Sequence, residues 1–375
     1  MDEVFYTFYC YIYAMKKVFL FWIFPLFVWG QNSLDTSVST KISLIFGGDI
    51  MCHGPQLRAA YKDSLKNYDF YENYAYLQNI FSNSDFSILN LETTIGVKPY
   101  SGYPQFSAPP ELLTAAKSAG INVLMTANNH SCDKGKKGIV STLNFLDNLE
   151  LKHTGTFRDK KEADSLAPLI LEKNGIKIAL VNYTYGTNGI PVPYPTRVNL
   201  IDTIKIKKDL ARAKVLKPDI IIAFLHWGIQ YKNYPSKKQK QLADFLHKNG
   251  VKIVIGSHPH VIQPIELRRD SLNKISEITV FSLGNFISNQ RTFPRDGSML
   301  VKFSIEKLSD GKITIEGFET IPLWVYKFFD KNKAHYLILP VKDFILQPDF
   351  FEQNTDYQKM MKFYKHYQSF KFNTL

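Results

Sequence analysis

The sequence predicts an α/β fold, and three observations support this prediction. Short apolar runs rich in β-branched residues recur along the chain, helix-like stretches lie between them, and polar side chains follow the ends of the runs. Near-continuous apolar runs of this kind are typical of strands buried on both faces. Their alternation with helices indicates a layered fold with largely parallel strand pairing.

The strand-like runs begin near residue 42. They lie at 42–46, 86–89, 121–125, 176–181, 219–225, 251–255 and 278–283. Residues 167–182 predict a hairpin, because Asn174 and Gly175 form a strong two-residue turn signal. A second hairpin is expected from 299–307 and 312–321, around Asp310-Gly311. We therefore expect two sheets, with the last hairpin completing one of them.

The helix-like stretches are placed by their end signals. They lie at 71–82, 109–118, 136–149, 202–216 and 236–248. Proline favours the first turn of a helix and glycine the position just past its end, which sets the limits of 109–118 before Gly120. No internal repeat and no linker rich in Pro, Gly or Ser divides the chain. Residues 326–375 predict a basic C-terminal appendage with a helix-like stretch near 356–368.

The composition indicates a globular protein with an anionic partner. Hydrophobic residues make up 45% of the 375 residues and charged residues 21%, which excludes a disordered chain, a collagen and a disulfide-dense mini-protein. The net charge of +12 favours an anionic ligand or surface. The basic stretches 205–217 and 236–240 lie on predicted helices and are expected to be solvated faces. Because no nucleic-acid-binding module is recognisable, we expect no nucleic-acid partner.

Residues 1–30 predict a signal peptide or an N-terminal anchor. Lys16 and Lys17 precede a twelve-residue apolar run at 18–29, with small residues near its end. This run is shorter than the ~20 residues of a membrane-spanning helix and is typical of a secretory signal peptide. The alternative is an uncleaved anchor extended backwards through 5–14. With either, we expect an exported protein that is periplasmic, outer-membrane-associated or at the cell surface.

Ionisable and amide side chains follow five of the predicted strands. These segments are 47–53, 90–92, 126–135, 226–228 and 256–260. In open α/β sheets the carboxyl ends of the strands line one common crevice. A mixture of carboxylates and imidazoles suits a borderline divalent metal such as Zn, Mn or Fe. The sequence therefore predicts a metal site at the strand ends.

The ordered set of motifs resembles the CapA family, the poly-γ-glutamate or capsule synthesis proteins. That family is similar in fold to the calcineurin-like metallophosphoesterases, which form a four-layer α-β-β-α sandwich. The resemblance covers residues 41–325 and includes the five segments above and the motif at 282–286. It implies a CapA-type domain over 41–325 with a metallo-dependent phosphatase-like fold.

The resemblance also implies two divalent metal ions and their ligands. Asp49 and His260 would hold one ion, and Glu92 would bridge it to a second ion held by Asn129, His226 and His258.

Further roles follow from the same resemblance. His130 is expected to be the general acid or a stabiliser of the transition state, with Asp133 as the second catalytic residue. His53 is a further candidate ligand, although it lies four residues beyond Asp49, where phosphoesterases place a histidine two beyond. Glu92 stands where phosphoesterases carry an aspartate, so phosphoesterase activity does not follow.

Two features near the predicted crevice leave alternatives open. Asn285, Arg291 and Arg295 follow another strand end and are expected to bind substrate, since arginine suits carboxylate or phosphate groups. The alternative is a solvated surface loop. Cys52 and Cys132 lie beside candidate site residues, and either a disulfide or two buried free thiols would fit.

Two functions from different classes fit these observations. The first is an exported metal-dependent hydrolase or transferase that acts on an anionic polymer such as poly-γ-glutamate. Two adjacent ions can lower the pKa of a bridging water and stabilise an oxyanion, on a phosphodiester or on a γ-glutamyl amide. The second is a non-catalytic accessory component of a capsule polymer assembly or export complex, with membrane capsule-synthesis components as partners.

Overall fold

A computed structural model describes residues 39–370 of the chain. The leader predicted over 1–30 lies outside the described residues. Within 39–370, no helix combines the length and the apolar character needed to cross a bilayer.

Strands and helices alternate from residue 40 onwards. The strands are β1 (Thr40–Ile50), β2 (Tyr61–Lys62), β3 (Asn67–Tyr68), β4 (Phe86–Leu91), β5 (Thr94–Ile95), β6 (Ser107–Ala108), β7 (Val123–Met125), β8 (Lys152–Thr154), β9 (Thr156–Phe157), β10 (Leu169–Lys173), β11 (Ile176–Thr184), β12 (Arg197–Val198), β13 (Ile220–His226), β14 (Ile253–Ser257), β15 (Ile265–Arg269), β16 (Ile275–Val280), β17 (Gly297–Lys307), β18 (Ile313–Asp330) and β19 (Lys333–Pro340). The α-helices are α1 (Gly54–Ala60), α2 (Gln78–Ser82), α3 (Glu111–Ser118), α4 (Gly135–Asn148), α5 (Lys160–Leu166), α6 (Thr203–Val215), α7 (Lys237–Lys248), α8 (Val341–Phe344) and α9 (Asn354–Ser369).

One hydrogen-bonded path joins the two sheets that the sequence predicts. Its order is β10-β11-β13-β14-β16-β18-β17-β1-β4-β7-β8, with β15 on β16 and β19 on β18. The strands β11, β13, β14 and β16 pair in parallel in one half, and β1, β4, β7 and β8 pair in parallel in the other. Antiparallel pairing of β17 and β18 connects the halves.

The two halves of the sheet pack face to face and carry helices on their outer faces. Alternate residues of a strand point to opposite faces, so Leu44 of β1 packs in the central core with Ile222 of β13, whereas Ile45 points outward. The outer core around Ile45 contains apolar residues of α3 and α4. On the other side, apolar residues of α6 and α7 pack on Ala223 and Val254. These layers confirm the predicted α/β class with its α-β-β-α order.

Two segments differ from the sequence-based expectation. Residues 326–375, expected to be an appendage, begin inside β18, which continues to Asp330 and pairs with β19. Helix α9 then buries Met360, Phe363 and Tyr367 in the central core, so its spacing of apolar residues serves packing. Residues 71–82, expected as one helix, form a 3-10 turn and the short α2.

The end of β1 lies against the backbone that follows β16. The Asp49 N–H donates to the carbonyl oxygen of Gly284 at 3.0 Å, and the Met51 N–H donates to that of Ile287 at 2.9 Å. A Cβ atom at Gly48 would lie 1.8 Å from the Gly284 oxygen. Close backbone contact, which only glycine permits here, thus sets the position of Asp49.

We expect Gly48→Ala to lower the free energy of unfolding by about 1–3 kcal/mol, the usual cost of overpacking a tight interior. Chemical denaturation followed by circular dichroism measures it. Gly54→Ala is the matched control, because its nearest neighbour would be Arg58 Nη1 at 3.5 Å, an ordinary contact. An equal decrease in the free energy of unfolding of the two variants would contradict the conclusion that close backbone contact at Gly48 positions the end of β1.

Candidate metal centre

Four parallel strands end at the same place and deliver polar side chains there. Asp49 lies at the end of β1, Glu92 follows β4, His226 ends β13, and His258 and His260 follow β14. Parallel pairing aligns the carboxyl ends of neighbouring strands within each half of the sheet, and the packing of the two halves brings these ends together. Each of these side chains is at most 3% exposed. The structure therefore brings a set of buried carboxylates and imidazoles together at one edge.

The donor atoms form two groups that share one carboxylate. Asp49, Glu92 and His260 form the first group, and Glu92, His226 and His258 form the second. Within each group the candidate ligand atoms lie within 4.8 Å of one another. Asn129, also predicted as a ligand, places its Oδ1 2.6 Å from His226 Nε2.

The Glu92 carboxylate is buried without a hydrogen-bond donor. Neither of its oxygens has a hydrogen-bond partner among residues 39–370, and His226 Nε2 and His260 Nε2 lie 3.5 and 3.9 Å from Oε1. Burial of a carboxylate without compensation costs several kcal/mol. His258 Nδ1 is likewise buried and has no hydrogen-bond partner in the described part of the chain. Carboxylate, imidazole and amide oxygen are suitable ligands for Zn, Mn or Fe, so the residues fit two divalent ions.

Neighbouring side chains orient the candidate ligands. Asn90 Nδ2 donates to Asp49 Oδ1 at 2.8 Å. Ser257 Oγ lies 2.8 Å from His226 Nδ1. Such contacts to the other atoms of ligand side chains fix ring and carboxylate orientation at metal sites. Sequence reasoning singled out neither Asn90 nor Ser257 as a site residue, although both stand next to motif residues.

The pKa shifts of His258 and Asp49 favour metal binding. Burial lowers the pKa of His258 far below its usual value, and the charges of His226 and His260 lower it further. Burial alone would raise the pKa of Asp49, but a hydrogen bond with His260 and the charges of His226 and His260 bring it below its usual value. A neutral imidazole and an ionised carboxylate are the forms that bind metal ions.

The segment after β14 adopts an unusual backbone conformation. His258 has φ +97° and His260 has φ +57°, which lie in the left-handed region that disfavours residues with a side chain. Such conformations cost about 1–3 kcal/mol each and persist where the surroundings impose them. These conformations direct the imidazoles of His258 and His260, which are separated only by Pro259, towards the same site.

His130 and Asp133 form a buried pair beside the donor groups. His130 Nδ1 lies 2.7 Å from Asp133 Oδ2, which also accepts from the Phe106 N–H at 2.7 Å. The Phe106 ring packs edge-on against the imidazole at 4.6 Å between centroids. With Nδ1 engaged, Nε2 is the nitrogen left for a ligand in the cavity that His130 lines. The ring can therefore donate or accept a proton at a defined position.

A cavity of about 970 Å³ opens over these groups. Tyr185, Tyr231 and Arg295 are among its lining residues. The Arg295 guanidinium lies 4.1 Å from the Tyr231 ring centroid, and the Tyr185 ring lies 4.5 Å from that of His258. Tyr185 was missed by sequence reasoning. It follows β11 directly, so the strand-end signal that singled out the other segments was present there too.

Three predicted site residues occupy other positions. His53 lines the cavity but belongs to neither donor group; its Nδ1 accepts from the Asn289 N–H at 3.3 Å, and burial lowers its pKa to about 4. Asn285 is fully buried, with Oδ1 3.0 Å from His260 Nδ1, so it positions that ring instead of facing the cavity. Arg291 is not in the cavity lining, and its guanidinium lies 5.5 Å from the Trp324 ring centroid.

The two cysteines of the described chain are free. Cys52 and Cys132 are both buried, and no disulfide joins them. Burial raises the pKa of Cys132 to about 11, with the Asp133 charge adding to the effect. Of the two alternatives that the sequence left open, the structure has the buried thiols.

We expect Glu92→Gln to weaken binding of both ions strongly, because the shared carboxylate serves both donor groups. Elemental analysis of purified protein should find about two divalent ions per wild-type chain and fewer than about one in the variant. Glu72→Gln is the matched control, since that carboxylate pairs with His335 at 2.9 Å, away from the donor groups. A wild-type metal content no higher than that of Glu92→Gln would overturn the two-ion interpretation.

Comparisons with solved structures find distant alignments to phosphoesterase and nucleotidase chains. The NAD nucleotidase of Haemophilus influenzae aligns with a TM-score of 0.49 at 11% identity, over 88% of this chain and 68% of that chain. The calcineurin-like phosphoesterase YfkN of Bacillus subtilis aligns with a TM-score of 0.41 at 13% identity, over 89% of this chain and 99% of that chain.

Sequence comparisons find named relatives. The capsule biosynthesis protein CapA of Bacillus anthracis is 25% identical over 309 residues, covering 79% of this chain and 72% of the relative. The PGA biosynthesis protein CapA of Bacillus subtilis (strain 168) is 27% identical over 316 residues, covering 80% of this chain and 77% of the relative. The family model for the bacterial capsule synthesis protein PGA_cap matches residues 43–290, the part of the chain that contains every candidate metal ligand. The chain therefore belongs to the PGA_cap family of bacterial capsule synthesis proteins.

Proposed function

We propose that this chain acts in capsule biosynthesis as a metal-dependent hydrolase or transferase on an anionic polymer such as poly-γ-glutamate. The observation that carries the enzymatic part is the Glu92 carboxylate, buried without a donor and shared by two donor groups. A site kept only for stability would not need a catalytic pair beside it. The capsule part rests on the family and on relatives named for capsule and PGA biosynthesis.

The chemistry would be divided between bound ions and the residues of the chain. Asp49, Glu92 and His260 would hold one ion, and Glu92, Asn129, His226 and His258 the other. Bound divalent ions supply Lewis acidity and an activated water in sites of this kind.

The side chains around the ions have separate tasks. His130 donates a proton from Nε2 to the leaving group, and Asp133 holds the imidazole and stabilises its charged form. Arg295, held over Tyr231, offers its guanidinium to a carboxylate or phosphate of the substrate. The cavity is at the upper end of the usual volumes of ligand pockets and has room for a short segment of a polymer.

The proposal includes export. Two lysines followed by a short apolar run at 18–29 support a secretory signal peptide or an anchor, and with it a place in the cell envelope or at the surface. The net charge of +12 is consistent with an anionic polymer as the ligand.

We expect His130→Ala to reduce turnover about 10²–10⁴-fold, the usual contribution of general acid–base catalysis, without loss of bound metal. The assay compares γ-glutamyl oligomers with generic phosphodiesters, and elemental analysis monitors the ions. His335→Ala is the control, because that histidine pairs with Glu72 at the surface. Unchanged turnover in His130→Ala contradicts its role; no turnover of either substrate by metal-loaded protein favours the accessory function.

A further inference from the structure

Three cationic side chains lie around Tyr336, which donates a hydrogen bond to the cavity-lining residue Asn289. Arg58 is in α1, Arg291 is in the loop after β16, and Lys327 is in β18; we call them the cationic cluster. Within the described part of the chain, none of the three forms an ion pair with a carboxylate at 4.0 Å or less. Arg291 Nη1 is buried and has no hydrogen-bond partner among those residues.

The three positive charges act on one another. Burial lowers the pKa of Lys327, and the charges of Arg291 and Arg58 lower it further. The charges of the same two arginines lower the pKa of the Tyr336 phenol, but the effect of burial is larger and raises that pKa to about 12. The charges of Asp296 and Asp356 also reach Arg291, but from beyond ion-pair distance. Asp296 Oδ2 accepts from Trp324 Nε1 at 3.0 Å, and Asp356 pairs with Lys359 at 2.8 Å. The cluster thus carries more positive charge than its surroundings neutralise.

Asn289 connects the cluster to the cavity. Its Oδ1 accepts from Tyr336 Oη at 2.6 Å and from Lys327 Nζ at 3.3 Å, while its N–H donates to His53 Nδ1. Asn289 itself lines the cavity. Arg58, one helical turn beyond His53, is exposed, so the cluster is open to solvent. A ligand that extends past His53 would reach these cations next.

We propose that the cationic cluster is a second anion-binding subsite, which holds a carboxylate of the polymer one or more repeats away from the metal centre. Uncompensated like charges at a half-buried position are unfavourable until an anion neutralises them, and guanidinium groups bind carboxylates through paired hydrogen bonds. The identity of the ligand rests on the proposed function, whereas the subsite does not require the chain to be catalytic.

Equilibrium binding tests the subsite without any need for turnover. The affinity of purified protein for γ-glutamyl oligomers of increasing length is measured for the wild type and for Arg58→Gln combined with Lys327→Gln. Glutamine at 327 keeps a donor for Asn289. Lys207→Gln combined with Lys208→Gln changes the net charge equally on exposed positions of α6 and serves as the matched control. Circular dichroism verifies that each variant is folded.

We expect the cluster variant to bind long oligomers about tenfold more weakly, since charge-assisted hydrogen bonds are lost, and to bind the γ-glutamyl dimer as the wild type does. The control should bind both as the wild type does. Equal affinity of cluster variant and wild type both for long oligomers and for polyphosphate of matched charge would overturn the subsite, as would an equal loss in the control. If only polyphosphate of matched charge shows the loss, the assignment to a carboxylate is wrong. Because the assay measures binding and not turnover, a failure to detect catalysis would contradict the proposed enzymatic function without affecting the test of the subsite.

Discussion

The buried carboxylate of Glu92 is the constraint on which the rest of the site depends. A carboxylate in a dry interior needs either hydrogen-bond donors or a cation, and within residues 39–370 no donor contacts it. Three imidazoles face the same space, two of them within 3.9 Å of Oε1. The fold holds these groups together although their mutual desolvation is costly, and this cost is offset when cations occupy the two donor groups.

The backbone around the site is arranged to maintain that proximity. Gly48 allows the end of β1 to approach the segment that follows β16, and two histidines after β14 adopt positive φ. Asn285 extends this arrangement, since it contacts His260 on one side and donates to the Arg295 carbonyl oxygen at 2.9 Å on the other. The loop after β16 therefore links the imidazole of His260, a candidate metal ligand, to the backbone of Arg295 beside the cavity.

Parallel pairing explains why so much of the site could be predicted from the sequence. The carboxyl ends of neighbouring parallel strands must meet at one edge, and Asp49, Glu92 and His226 each follow a recognisable apolar run. The same reasoning could not predict which way the side chains of the loop after β16 point, because a loop lacks the alternating pattern of a strand. Arg291 packs over Trp324 instead of reaching the cavity, because an aromatic face from β18 lies beside it. The C-terminal segment was misjudged for a related reason: the partner that buries Phe363 is distant in the chain.

The sequence by itself determined the α/β class and the polar segments that follow the strands, because these depend on local periodicity and on side-chain chemistry. The ligand set within those segments, with Glu92 shared, came from the resemblance of the motifs to a known family. The tertiary structure alone decided that His53 stands apart from the donor groups and that three cations converge around Tyr336. These properties depend on distances between side chains far apart in sequence. Such distances are set by how the two halves of the sheet pack against each other, which no local pattern encodes.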